Sequence, residues 1–212
     1  MGTLLAERLR LETRDLHRAA ERSALMSELL HGKLDTGAYL ALLRNLYALY
    51  LTLEAALLEQ AHDPLVGLMV APAWFRAPAL QADLDRLMPG PWQHTLPLAP
   101  AMAQYVQRLA GLSAPGAAQP CLLVAHAYVR YLGDLHGGQI LKRAVLRHFG
   151  DEASTCFYEF GPDDELPALR QRFRGQLAAM RPTVEEREAI VAEARWAFVQ
   201  HQRLFDELHA LT

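Results

Sequence analysis

The 212-residue sequence predicts an all-α protein, and three observations carry that reading. Apolar residues recur at three- and four-residue spacing through most of the chain. No stretch alternates apolar and polar residues for long enough to make a convincing strand. Asp, Thr and Pro stand where helices would begin, and Gly where they would end. No repeat or linker divides the chain, so a single domain over residues 1–212 is expected, built as a helical bundle of about seven to eight helices.

The first helix is expected over residues 3–30, where Leu4, Leu5, Leu9, Leu16, Ala20, Leu25 and Leu29 recur near helical spacing. His31-Gly32-Lys33 ends it, with Gly32 as a left-handed cap. Asp35 or Thr36 caps a second helix to about Glu59, whose stripe of Tyr39, Leu43, Leu46, Tyr50, Leu53 and Leu57 reads as core. Asp63-Pro64 opens a connection, and Pro78 suits the first turn of a shorter helix to Leu87. Met88 to Pro100, holding Pro89, Pro91 and Pro97, reads as a loop. A helix from Pro100 to Leu112 follows, then a second loop from Ser113 to Gln119. A glycine-bearing helix is expected from Pro120 to about Phe149. A short segment at 153–160 leads to a helix near 164–180, and Thr183 caps the last helix, which reaches Leu208.

Composition narrows the function classes. Hydrophobic residues make 51% of the chain and charged ones 21%, with a formal net charge of -3. There is no basic excess of the kind that nucleic acid demands. Cys121 and Cys156 form no close-spaced metal or redox motif and fit reduced thiols. The N-terminal residues are charged and lack a signal-peptide core, and the charge-poor region from Leu87 to Tyr128 is cut by prolines. A soluble cytoplasmic protein without membrane or nucleic-acid partners is expected.

The stretch from Tyr128 to Gln139 does not fit an ordinary helix. It carries Gly133, Gly137 and Gly138, and each glycine costs roughly 1 kcal/mol against alanine in a helix interior. Gly133 and Gly137, four apart, share one face and leave bare backbone there. The Gly137-Gly138 pair also suits a bend. A bent helix with a bare inner face lets a flat, bulky ligand lie against the backbone. The alternatives are close helix–helix packing and a helix that ends at Gly137.

A second chemical group comes from His17. Arg10, Thr13, Glu21 and Ala24 all fall within roughly 40° of it on a helical wheel. That face is suited to a ligand, or His17 is an ordinary helical histidine. Arg170, Arg172 and Arg174 offer fixed positive charge to an anionic ligand, or form a solvated face.

These residues together resemble a known family. Tyr128 to Gln139 (Tyr-x-Arg-Tyr-Leu-Gly-Asp-Leu-x-Gly-Gly-Gln) is similar to the distal-helix signature of haem oxygenases. Thr13-Arg14-Asp15-Leu16-His17-Arg18-Ala19-Ala20-Glu21 resembles the family's proximal segment, and Ala197-Phe198 with Leu204-Phe205-Asp206-Glu207-Leu208 resembles its last helix. The likeness spans about residues 3 to 208.

The resemblance implies haem b, as substrate and cofactor, held between the N-terminal helix and the bent glycine-rich helix. It implies His17 as the iron ligand and Glu21 on the same side of the pocket. Gly133 and Gly137 match glycines that contact haem, Gly138 supports the bend, and Asp134 organises distal water. Arg10 and Arg172 match propionate contacts, and Tyr128 an aromatic near the haem edge. The implied reaction uses dioxygen and electrons from an external donor, a ferredoxin or a flavin reductase. It opens the ring to biliverdin, carbon monoxide and ferrous iron, at the α-meso carbon. Arg10, Arg14, Arg18 and Arg22 form a basic stripe that would receive an acidic ferredoxin, or a solvated face. Two positions depart from the family pattern: Ala168 replaces a propionate-side lysine, and His136 a serine. His136 is expected in the distal water network, with solvent exposure and iron ligation as alternatives. A haem carrier using His136 as second ligand, and an unrelated all-α enzyme, are the rival readings.

Overall fold

The computed structural model describes residues 5–150 and 153–211, and among them are nine α-helices and no strand. Thr3 and Leu4, which open the expected first helix, lie outside the described residues. That helix is two: α1 (Leu5–Glu21) and α2 (Ala24–His31). Ser23 breaks it by taking extended backbone (φ -58, ψ 153), while its hydroxyl accepts from the Met26 amide at 3.4 Å. Leucine spacing runs through such a break undisturbed, because a cap acts on the backbone and leaves the apolar stripe intact. Gly32 closes α2 at φ 66, the left-handed region that favours glycine.

Asp35 caps α3 (Thr36–Glu59), its carboxylate accepting from the Ala38 amide at 3.1 Å. By length and composition α3 could cross a membrane. Yet Leu43, Tyr50, Leu53 and Leu57 are fully buried against protein, so its apolar character fills a core. α4 (Ala77–Leu87) follows, then α5 (Trp92–Thr95), a short helix inside the expected loop. Buried Trp92 seats α5, its indole N–H donating to Asp85 at 2.7 Å. The two additions, α2 and α5, raise the helix number above the seven or eight expected. α6 (Pro100–Ser113), α7 (Leu123–Phe149), α8 (Leu166–Ala179) and α9 (Val184–His209) complete the order. α7 runs unbroken through Gly133, Gly137 and Gly138, which excludes a helix ending at Gly137. A capping box starts α9: the Thr183 hydroxyl accepts from the Glu186 amide, and the Glu186 carboxylate accepts from the Thr183 amide.

α9 packs against α1, α2, α6 and α7, and α3 packs against α4, α6 and α7. One contiguous hydrophobic core joins them. Asp83 of α4 positions the segment that precedes α8: its carboxylate accepts from the amides of Cys156 and Phe157 at 2.9 and 2.8 Å, and from Ser154 Oγ at 2.6 Å. Glu54 of α3 caps α4 in turn by accepting from the Arg76 and Ala77 amides.

A buried polar cluster ties α6, α7 and α9. Arg108 grips Glu193 with two hydrogen bonds, 2.9 and 2.8 Å. His126 Nε2–H donates to the same carboxylate at 3.1 Å, so its Nδ1 accepts from Tyr105 Oη–H at 2.9 Å. Burial pushes Glu193 up, but the bonds from Arg108 and His126 outweigh it and hold the carboxyl at about 2. Burial lowers His126, and carries His201 down to about 3. A depressed carboxyl stabilises the fold above its ordinary 4.5 and loses that contribution as pH falls toward 2. A depressed histidine contributes fully above 6.5 and loses that as pH falls below it. Stability should therefore decline in two stages on acidification. Glu193→Gln should lower neutral-pH stability by roughly 3 kcal/mol and remove the lower stage. Thermal melts across pH check this, and a mutant profile parallel to the parent's would contradict it.

Candidate active site: a cleft between α1 and α7

A cleft of about 290 Å³ opens between α1 and α7, floored by Phe157 and Tyr158 and closed by α9. His17, Ala20 and Glu21 of α1 form one wall. Val129, Arg130, Gly133, Asp134, Gly137, Ile140 and Leu141 of α7 form the opposite one. Phe198, His201 and Phe205 of α9 and Leu42 and Leu46 of α3 complete an interior that is mostly apolar.

On α1, His17 packs edge-on against Phe198, ring centroids 5.8 Å apart. Its Nδ1 lies 3.6 Å from Glu21 Oε2, one turn on, which favours a proton on Nδ1 and leaves the Nε2 lone pair for a ligand. The His17 side chain is 46% exposed, so the cleft is open on this side. Among the described residues no three His, Cys, Asp or Glu side chains gather into a metal cage. A metal held by His17 must therefore bring most of its ligands with it, as the iron of a haem does.

On α7, Cβ atoms built at Gly133 and Gly137 would meet nothing within 4 Å. Both glycines face open cleft, so what their missing side chains provide is room. Helix–helix packing at this pair, one of the two alternatives, is excluded. Gly138 is different: it is buried, its added Cβ would stand 3.9 Å from the Tyr158 carbonyl oxygen, and it does not line the cleft. Its smallness serves the approach of α7 to the 153–160 segment, which Gln139 Nε2 also joins by donating to the Tyr158 carbonyl at 3.2 Å.

Beside the glycines, Asp134 is 12% exposed and accepts hydrogen bonds from Tyr50 Oη–H and from Arg130 Nη2 at 3.0 Å. Arg130 Nε donates to Tyr50 Oη at 3.0 Å, closing a ring of three. Desolvation raises the Asp134 carboxyl well above its usual range and lowers the Arg130 guanidinium to about 10. The ring sets a polar, proton-bearing spot in an apolar cleft. Tyr50 and Arg130 escaped the sequence reading: Tyr50 lies in a stripe that reads as core. The Arg130/Asp134 spacing of four was the available signal.

The remaining expected site residues stand outside the lining. Tyr128 is buried beside Thr13, close enough to Arg10 for its charge to act on the phenol. Arg10 is exposed on α1. Arg172 is exposed and its guanidinium lies 5.5 Å from the centre of the Trp74 ring. The α8 arginines that reach α7 are Arg170, donating to the Leu135 carbonyl at 2.6 Å, and Arg174, 2.5 Å from His136 Nε2. His136 Nδ1–H donates to the Leu132 carbonyl at 2.7 Å, so Nε2 accepts from Arg174. Both nitrogens are thus engaged with protein, and His136 does not line the cleft although it stands near enough to His17 for the two to interact electrostatically, so in this arrangement it has no nitrogen free for the expected network role. It also removes the second ligand that a carrier would use.

The comparisons agree with this geometry. A family model described as "Heme oxygenase" matches residues 3–207. Heme oxygenase 1 of Nostoc sp. is 33% identical over 210 residues, covering 98% of this chain and 87% of the relative. Heme oxygenase 1 of Homo sapiens is 32% identical over 215 residues, covering 98% and 72%. The crystal structure of heme oxygenase-1 from Synechocystis sp. PCC6803 in complex with heme superposes with a TM-score of 0.90 at 31% identity, covering 99% of this chain and 94% of that one. The heme oxygenase from Leptospira interrogans gives 0.89 at 33% identity, covering 97% and 100%. With the likeness running the length of the chain, and with His17 and the bare backbone of Gly133 and Gly137 lining one cleft, the protein belongs to the heme oxygenase family, enzymes that degrade haem to biliverdin.

Proposed function

We propose that haem lies in the α1–α7 cleft with His17 Nε2 on its iron and Gly133 and Gly137 against its other face, in one domain formed by residues 1–212. The observation that carries this is the juxtaposition of His17 with open space over the two glycines. Bound haem supplies the iron that activates dioxygen and is itself the molecule cleaved. Glu21 keeps the His17 proton on Nδ1 and strengthens Nε2 as a donor. A neutral imidazole releases less electron density to iron than a thiolate would. Phe198 fixes the ring plane of His17.

Asp134 acts through water. Its raised affinity for a proton, with Tyr50 and Arg130 holding both carboxyl oxygens, suits it to keep an ordered water in place and exchange a proton with it. Arg10 and Arg172 take the propionates, with Tyr128 near the haem edge and Gly138 behind the helix. Arg172 would leave Trp74 to do so, forfeiting a cation–π contact worth about 0.5–1 kcal/mol at an exposed site. The electron donor is an acidic ferredoxin or a flavin reductase, received on the basic stripe of Arg10, Arg14, Arg18 and Arg22, which are all exposed. The compartment is the cytoplasm, a reading supported by α3 burying its apolar side chains in the protein core.

Three tests follow from these roles. His17→Ala should lose turnover while still taking up haem through apolar contact, and added imidazole should restore a histidine-type Soret spectrum. Full activity without imidazole would remove His17 from the iron. Asp134→Ala should lower biliverdin formation by on the order of a hundredfold while leaving the hemin titration unchanged. Parent-level product would end the proton role. The seating set by Arg10 and Arg172 should give the α isomer of biliverdin. A main β or δ isomer on chromatography would mean a rotated haem.

A further inference from the structure

Arg76 is a buried cation whose hydrogen bonds all go to backbone. It stands at the start of α4, outside the cleft lining, and is 7% exposed. Nη1 donates to the Glu159 carbonyl at 2.5 Å and, at a longer 3.5 Å, to that of Phe157. Nε donates to the Trp74 carbonyl at 3.3 Å, and the guanidinium lies over the Phe160 ring, 3.9 Å from its centre. Burial lowers the guanidinium, and the nearby Glu54 carboxyl opposes that. A charge held so deep is costly to desolvate, and α4 does not need this side chain to begin. Glu54 already caps the helix through the Arg76 and Ala77 amides. The guanidinium serves a different segment, residues 157–160.

That segment carries Phe157 and Tyr158, the floor of the cleft. Asp83 fixes its start by accepting from the Phe157 amide. Gln139 of α7 holds the Tyr158 carbonyl at 3.2 Å. The carbonyls on either side of it, those of Phe157 and Glu159, go to Arg76 instead. The backbone around Tyr158 is thus clamped between α7 and the start of α4. A planar guanidinium fixes the direction as well as the length of such bonds, and its charge strengthens them. Tyr158 cannot change its depth in the cleft without breaking one.

We infer that Arg76 is a positioning residue for the haem cleft, fixing the floor from outside and so selecting how haem seats against it. The inference rests on haem occupying this cleft, and its first test does not need haem. Arg76→Met keeps a long side chain and removes the donors. In the haem-free protein it should quicken amide exchange at Tyr158 and Glu159 by about tenfold or more, with α1 unchanged. Those two amides donate to the Thr155 and Cys156 carbonyls, so their protection reports the shape of the segment itself. Parent-like exchange at both overturns the inference and leaves the haem site untouched.

The second test reads the ferric, cyanide-ligated haem protein by proton NMR. Haem methyl signals there count the two seatings related by a half-turn about the α–γ axis. Arg76→Met should change their ratio by about threefold or more. Arg76→Lys keeps the charge and a donor for the floor but gives up the Trp74 bond, and should fall between the methionine protein and the parent. Leu109→Ala, which opens a cavity in α6 away from the cleft lining, supplies a comparison of reduced stability. A parent-like ratio in Arg76→Met overturns the inference. So does an equal change in Leu109→Ala, which would mean that lost stability and not the floor sets the ratio. Should the methionine protein fail to fold, Arg76→Lys carries both tests, and parent-like exchange or a parent-like ratio in it overturns the inference.

Discussion

One constraint organises this molecule: a helix in its interior must keep a bare strip of backbone uncovered. Side chains at Gly133 and Gly137 would project into the cleft, and nothing else occupies that space. The two glycines weaken α7 at its middle by roughly 1 kcal/mol each, so the rest of the helix must hold it in shape. Its first two turns are almost wholly buried, from Leu123 to Val129. His126 fastens that half to α6 and α9 through Tyr105 and Glu193. Beyond the glycines, Val145 is buried and Gln139 holds the Tyr158 carbonyl. The rigidity that α7 lacks at the cleft is supplied from either side of it.

The same need explains where the polar groups lie. An apolar cleft that handles protons needs a few fixed donors and acceptors, each satisfied before the ligand arrives. Asp134 meets that need through Tyr50 of α3 and Arg130 of its own helix, so two helices and three side chains define one carboxylate. Glu21 stands 3.6 Å from His17 Nδ1, one turn on along α1, a looser pairing on the open side of the cleft. His136 shows the opposite outcome. Its Nδ1 turns back on the Leu132 carbonyl and its Nε2 takes a hydrogen bond from Arg174, so a titratable residue inside the signature motif joins α7 to α8. Arg170, on the Leu135 carbonyl, reinforces that junction.

Legibility in the sequence followed the range of the interactions. Helix class, the Asp35 and Thr183 caps and the Gly32 terminus depend on neighbours within a turn, and the chain displays them directly. The break at Ser23 is local too, but the leucine spacing continues across it and concealed it. α5 depends on Trp92 reaching Asp85, seven residues back, and proline density alone reads as loop there.

The sequence by itself determined that the protein is helical, that one histidine on α1 and one glycine-spaced helix are the exceptional features, and which family they resemble. Each of these rests on residue type and spacing along the chain. Only the tertiary structure decided that Gly133 and Gly137 face the cleft while Gly138 faces Tyr158, because spacing separates the faces of a helix but does not say which element covers each. It decided too that Tyr50 partners Asp134 across 84 positions. Those outcomes depend on how helices distant in sequence are rotated against each other. That rotation is set by the summed packing of the core, which no single motif encodes.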